Sequence, residues 1–173
     1  CDDERPLRRP GDRLGEQQDV LDGHRPPGDR HLYADARVHD TRLSVVLTPN
    51  LPRVDANPVQ LQQLVLNLAR NAFEALAENP PGDRELEIST SANVAGEVEI
   101  RVVDNGPGIS PAITDRLFDP FSTTKKNGTG LGLAISRTIA HAHGGNITFR
   151  PVLPHGARFD VRLPVKEVMS HEK

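Results

Sequence analysis

The fold class predicted by the sequence is α/β: a two-layer α/β sandwich with a mixed, mainly antiparallel sheet and helices on one face. Three patterns predict it. A long apolar stripe at helical spacing runs from Leu61 to Leu76, two segments at 85–91 and 97–103 alternate polar and apolar residues, and a glycine-rich turn at 128–133 leads into a second helix and two further strands. An amphipathic helix and a one-sided strand each need a partner layer to cover the apolar side. A length of 173 residues suits one compact domain with flanking segments.

Composition narrows the function classes. With 36% hydrophobic and 26% charged residues the chain reads as globular, and no apolar run approaches membrane-spanning length. Lys+Arg 21 against Asp+Glu 24 leaves no basic field, so neither nucleic acid nor an anionic membrane is an expected partner, and any phosphate site must be local. Cys1 is the single cysteine, which excludes an internal disulfide framework and a thiolate zinc site and fits a cytoplasmic location. Residues 1–40 carry ten acidic and seven basic side chains and the remainder fourteen of each, so the charge imbalance sits in the first segment. Rich in Pro and Gly and poor in large apolar residues, 1–36 is expected to be an irregular tail or the remnant of an upstream region, 37–166 the domain and 167–173 a C-terminal tail.

Thr41 to Leu47 is β-branched and apolar and ends at Thr48-Pro49-Asn50, as a strand and turn would. Asn57-Pro58-Val59-Gln60 starts a helix, since Asn caps the first amides and Pro suits the first helical position. Leu61, Leu64, Val65, Leu68, Ala72, Ala75 and Leu76 form its apolar stripe, and Asn79-Pro80-Pro81-Gly82 ends it. Glu85–Ser91 and Glu97–Val103 form an antiparallel pair with one buried face. Ser110-Pro111 opens a short helix to about Leu117, and the polar 118–127 segment begins with a Phe pair expected to anchor it. Ala134–Ala140 is helical, His143-Gly144-Gly145 stops it, and Asn146–Arg150 and Gly156–Leu163 complete the sheet.

Three features carry chemistry. On the long helix Gln60, Gln63, Asn67, Asn71 and Glu74 recur every three or four residues, which stacks two asparagines on one side. The stripe is either a solvated face or a set of neutral oxygen ligands of the kind Mg²⁺ accepts. Asp104, at a strand end beside Asn105-Gly106-Pro107-Gly108-Ile109, is well placed to accept a hydrogen bond from a base edge. The glycines of 128–132 precede a helix N-terminus, where unpaired amides favour an anion, yet the spacing fits neither a dinucleotide-binding fingerprint nor a P-loop.

In this order the pieces resemble one family. Asn67-Leu68-Ala69-Arg70-Asn71-Ala72 resembles the N box, Asp104-Asn105-Gly106-Pro107-Gly108-Ile109 the first G box, Phe118-Asp119-Pro120-Phe121 the F box and Gly128-Thr129-Gly130-Leu131-Gly132-Leu133 the second G box of sensor histidine kinases. The wording of Asn71–Ala75 and Phe121–Lys125 is most similar to the nitrogen-regulation and oxygen-sensing type. The resemblance implies a Bergerat-type ATP-binding catalytic domain that binds Mg·ATP and donates the γ-phosphate to a histidine on a partner helical hairpin, which then passes it to a response regulator. It implies that Asn71 holds Mg²⁺ with support from Asn67, and that Asp104 accepts from the adenine amine. Gly106 and Gly108 would admit the base, while Gly128, Thr129, Gly130, Leu131, Gly132 and Leu133 would form a lid hinge and phosphate-facing amides. Lys125, with Lys126 beside it, would neutralise the terminal phosphate.

Departures shape the expectation. Relatives that hydrolyse ATP, such as gyrase, carry a water-activating Glu four residues before the metal Asn; here that position is Asn67, which favours transfer over hydrolysis. Glu74 stands where a basic residue is frequent, and Ala157 where a Thr or Ser is frequent. None of the seven histidines lies in the His-Glu/Asp-x-x-x-Pro setting of the phosphorylated hairpin, His39-Asp40 coming nearest. The expectation is a catalytic half whose hairpin lies elsewhere. The alternatives are a nucleotide-dependent switch without phosphotransfer and a Bergerat-type serine kinase.

Overall fold

The computed structural model describes residues 30–123 and 128–166. Five strands form one sheet in the order β1-β2-β3-β5-β4, with β1 (Arg42–Val46), β2 (Glu85–Ala92), β3 (Glu97–Asp104), β4 (Asn146–Pro151) and β5 (Ala157–Pro164). Only β1 and β2 pair in parallel; the β2-β3, β3-β5 and β5-β4 ladders are antiparallel. The sheet is therefore mixed and mainly antiparallel, as expected.

Register places the apolar residues on one face. Leu43 lies opposite Leu86, Ile88 opposite Val102, Val102 opposite Phe159, and Ile147 opposite Val161. With a side-chain period of two, these residues share a side, while Glu85, Glu99, Arg101, Arg158, Asp160 and Arg162 take the other. The apolar side meets α1 (Arg30–Val38), α2 (Pro58–Leu76) and α4 (Gly132–Ala142) in a single core. Leu64, Leu68 and Leu76 on α2 are fully buried in it, at roughly 1.5–3 kcal/mol of transfer free energy each. A short helix, α3 (Pro111–Thr114), precedes a run of turns and ends earlier than the expected Leu117.

The start of α2 shows the local logic. Asn57 is extended, its Oδ1 accepts from the N–H groups of Val59 and Gln60, and Pro58 follows where its missing N–H costs nothing. The N–H of Asn57 in turn donates to His143 Nε2 at 3.0 Å, and His143 Nδ1 donates to the Ile139 carbonyl at 2.7 Å. One imidazole thus ties the start of α2 to the end of α4. Asn57→Ala is expected to lower stability by about 1 kcal/mol, read as a lower denaturation midpoint with unchanged cooperativity.

Two expectations need correction. Residues 30–36, expected as the end of an irregular tail or of an upstream remnant, are not irregular but helical, because Leu32 and Ala36 recur at one-turn spacing and both are buried in the core. Phe118 packs edge-on against Phe159 at 6.3 Å between centroids, but Phe121 is 76% exposed and its ring does not anchor the segment. Phe121 is held through its backbone instead, its N–H donating to the Gly130 carbonyl at 3.0 Å. His39, the histidine nearest to an acceptor pattern, stacks on Phe73 with ring centroids 5.3 Å apart, and its carbonyl accepts from Arg84 and Thr41.

Candidate nucleotide site

On α2, Asn67 and Asn71 lie one turn apart, facing the start of α4. Asn67 Oδ1 accepts from Gln63 Nε2 at 2.8 Å, and its Nδ2 donates to the Gly132 carbonyl at 3.4 Å, an oxygen that also accepts from the buried Ser136 hydroxyl at 2.9 Å. Both asparagines are half-buried, and Asn71 Nδ2 is buried without a partner. A Cβ at Gly132 would stand 3.8 Å from both polar atoms of the Asn71 side chain. The amide therefore faces the first residue of α4, where helix N–H groups have no intrahelical acceptor.

Asp104 ends β3 on the helical side of the sheet, with Leu86 and Ala157 as its cross-strand neighbours. Only 3% exposed, it accepts from the Gly106 N–H at 3.0 Å through Oδ1. A carboxylate on the apolar face of a sheet carries a desolvation cost unless hydrogen-bonded, and the Gly106 N–H offsets part of it. Gly108, with φ +80°, turns the chain where a side chain would be strained and would stand 3.1 Å from the Gly156 carbonyl. Gly130, with φ +65°, lies so close to the Phe121 backbone that a Cβ would come within 2.5 Å of its carbonyl carbon. Gly128, Thr129 and Leu131 complete the turn, Thr129 Oγ1 accepting from the Leu131 N–H at 3.4 Å, and Leu133 is packed against the core. Lys125 and Lys126 lie outside the described residues.

The structure thus brings Asn67 and Asn71 to the N-terminus of α4, the start of which is Gly132. The turn carrying Asp104, Gly106 and Gly108 reaches the same layer from the C-terminal end of β3, where a Cβ at Gly106 would stand 3.3 Å from the Ala75 methyl on α2. Asn79, which the sequence offers only as part of the α2 stop, and His155 also hold this turn; their contacts span 26 and 50 residues, which no local pattern announces.

Comparison with known proteins gives the family. Residues 56–167 match the family described as histidine kinase-, DNA gyrase B- and HSP90-like ATPase. The chain belongs to that family. It is 39% identical over 132 residues to the C4-dicarboxylate transport sensor protein DctS of Rhodobacter capsulatus, covering 76% of this chain and 20% of that protein. It is 37% identical over 172 residues to the sensory histidine kinase/phosphatase NtrB of Rhizobium leguminosarum bv. phaseoli, covering 88% and 43%. The catalytic domain of the histidine kinase ThkA in a nucleotide-free form superposes with a TM-score of 0.68 at 29% identity, covering 80% of this chain and 88% of that one. The mycobacterial sensor histidine kinase MprB gives the same TM-score at 28% identity, covering 80% and 93%. The chain spans less than half the length of these curated relatives and corresponds to the ATP-binding catalytic domain of sensor histidine kinases. Among the described residues no helix is long and apolar enough to cross a membrane.

Proposed function

We propose that this domain binds Mg·ATP between α2, α4 and the Asp104 turn, and that within the longer protein it presents the γ-phosphate to a histidine on a separate helical hairpin, for later transfer to a response regulator. The observation that carries the reading is the Asn71 amide, whose buried, unpartnered Nδ2 faces the α4 N-terminus. A buried donor of this kind calls for an acceptor, and a phosphate oxygen beside free helix amides supplies one. The neighbouring Oδ1 is a neutral oxygen of the type that suits Mg²⁺, so the donor set fits the ion. When bound there, Mg²⁺ would offset charge on the phosphate oxygens.

The other residues divide the work. Asp104 accepts from the adenine amine, and the glycines at 106 and 108 leave room for the base against the backbone. Asn67 acts mainly by holding Gly132, so that the amides of the 128–133 turn meet the phosphates in a set geometry. Lys125 is the cation this reading assigns to the terminal phosphate. Neither Asn67 nor Asn71 can take a proton from water, which favours transfer to a stronger nucleophile over hydrolysis. The whole acceleration then rests on positioning and charge neutralisation.

Calorimetric titration with ATP and GTP, each with and without Mg²⁺, tests the proposal. Mg²⁺ is expected to tighten ATP binding, and ATP to bind in preference to GTP. Asn71→Ala is expected to remove most of the Mg²⁺ enhancement, about tenfold in affinity, while leaving Mg²⁺-free binding nearly unchanged. Equal Mg²⁺ enhancement in the variant would overturn the assignment of Asn71. Incubation of the full-length protein with radiolabelled ATP then separates the acceptors, because phosphohistidine is lost in acid and phosphoserine survives it.

A further inference from the structure

The turn that carries Asp104 is gripped from outside the four sequence motifs. The Asn105 carbonyl accepts from Asn79 Nδ2 at 2.9 Å, just beyond the end of α2, and from His155 Nδ1 at 2.9 Å, in the turn between β4 and β5. The same His155 N–H reaches the Gly106 carbonyl at 3.1 Å. Carbonyl oxygens only accept, so Nδ1 must carry the proton, a condition met by one neutral tautomer and by the imidazolium alike. The backbone of the two turns is also in direct contact, since a Cβ at Gly156 would overlap the Asp104 carbonyl.

One planar group links this grip to the carboxylate. The Asn105 carbonyl and the Gly106 N–H belong to the same peptide unit, which rotates as a rigid plane. One edge of that plane donates to Asp104 Oδ1 at 3.0 Å; the other accepts from Asn79 and His155. Holding the carbonyl edge therefore holds the N–H edge, and with it the orientation of the Asp104 carboxylate. If the plane rotates, Oδ1 loses the Gly106 N–H that helps to set its direction toward a bound base.

From this linkage we infer that His155 is a positioning residue for recognition of the adenine base: it acts through the Asn105–Gly106 peptide on Asp104, with Asn79 as a second donor to the same carbonyl. The inference rests on the reading above that Asp104 receives the base. His155 itself is exposed at the surface of the turn, so its role is to orient the turn rather than to fill the core. The adenine end of the ligand is the end it affects.

Five proteins test this: the wild type, His155→Ala, His155→Asn, His155→Gln and Asp104→Asn, each titrated with ATP and with adenosine and each melted without ligand. His155→Ala is expected to weaken ATP and adenosine by the same factor, about three- to tenfold, because the loss lies at the base and not at the phosphates. His155→Asn should restore binding, since Asn Nδ2 stands two bonds from Cβ as His Nδ1 does, whereas Gln places its nitrogen one bond farther and should not. The unliganded melting temperature should change little across the His155 variants. Wild-type affinity in His155→Ala, loss of ATP affinity with adenosine unaffected, or restoration by Gln but not Asn would each overturn the inference and leave the nucleotide site standing. A wild type that binds no adenine ligand, or binds one equally well when Asp104 is replaced, would overturn the site reading and this inference with it.

Discussion

Asp104→Asn is expected to weaken ATP binding about a hundredfold and to erase the preference for ATP over GTP. The carboxylate is buried and already accepts from the Gly106 N–H through Oδ1; with the adenine amine placed as proposed, only an acceptor is compatible with both donors. An amide in its place turns one oxygen into a donor. Whichever way it is rotated, the new N–H₂ faces either Gly106 N–H or the adenine amine, donor against donor. A buried mispairing of this kind costs about 1–3 kcal/mol, the upper end of which is roughly a hundredfold in affinity. Guanine presents a carbonyl at the corresponding edge, to which the introduced amide can donate, so GTP should lose little or gain. Sites built to pair one polar edge discriminate by leaving the wrong partner unpaired, and this exchange inverts which partner is wrong. Calorimetry of both nucleotides against both proteins reads the result directly, with circular dichroism to confirm the fold. Unchanged ATP affinity in a folded variant would remove Asp104 from the base site.

What could be read from the sequence, and what could not, follows the range of the interactions. The α2 cap was legible because Asn57, Pro58 and the amides they serve are within four residues of one another. The strands were legible because alternation at a period of two survives in Leu86 and Ile88 and in Val98, Ile100 and Val102, all of which share one face of the sheet. Helix α1 was missed because its buried apolar residues are only Leu32 and Ala36, set beside a Pro-rich stretch, and their burial depends on a core assembled from distant segments. Phe121 misled for a related reason: an aromatic pair suggests two buried rings, yet its backbone, at φ +66°, meets Gly130 while its ring points outward. The site shows the same division. Motif residues named the asparagines, Asp104 and the glycines, but the contact of Asn67 with Gly132 spans 65 residues and that of His155 with Asn105 spans 50. Which side chains hold the motifs in place is a property of the fold.

On the sheet face away from the helices, Asp160→Asn is expected to lower stability by about 2–3 kcal/mol at neutral pH, and the deficit should shrink in acid. The Asp160 side chain has no exposed surface. Arg158 Nε donates to both its oxygens at 2.8 and 3.0 Å, Arg158 Nη2 approaches Oδ1 at 2.8 Å, and Arg101 Nε donates from the neighbouring strand at 3.2 Å. Arg101 also pairs with Glu99 at 2.7 Å, so two carboxylates and several guanidiniums share one network on β3 and β5. Burial alone would raise the Asp160 pKa, but the hydrogen bonds and charges of Arg158 and Arg101 outweigh it and hold the carboxyl below its ordinary value. A folded-state value below the unfolded one means that the unfolded chain binds the proton more readily. The stabilisation is therefore complete above the ordinary aspartate range and is lost as the pH falls through the depressed folded-state value. The amide introduced by Asp160→Asn keeps the shape but lacks the charge, and it turns one acceptor into a donor facing guanidinium N–H groups. Urea denaturation of both proteins near about pH 7 and about pH 3 gives the comparison, the difference between them cancelling the other titrating groups. Equal midpoints at neutral pH would show that the network contributes nothing net, and a deficit that persists undiminished in acid would show that shape rather than charge is what Asp160 supplies.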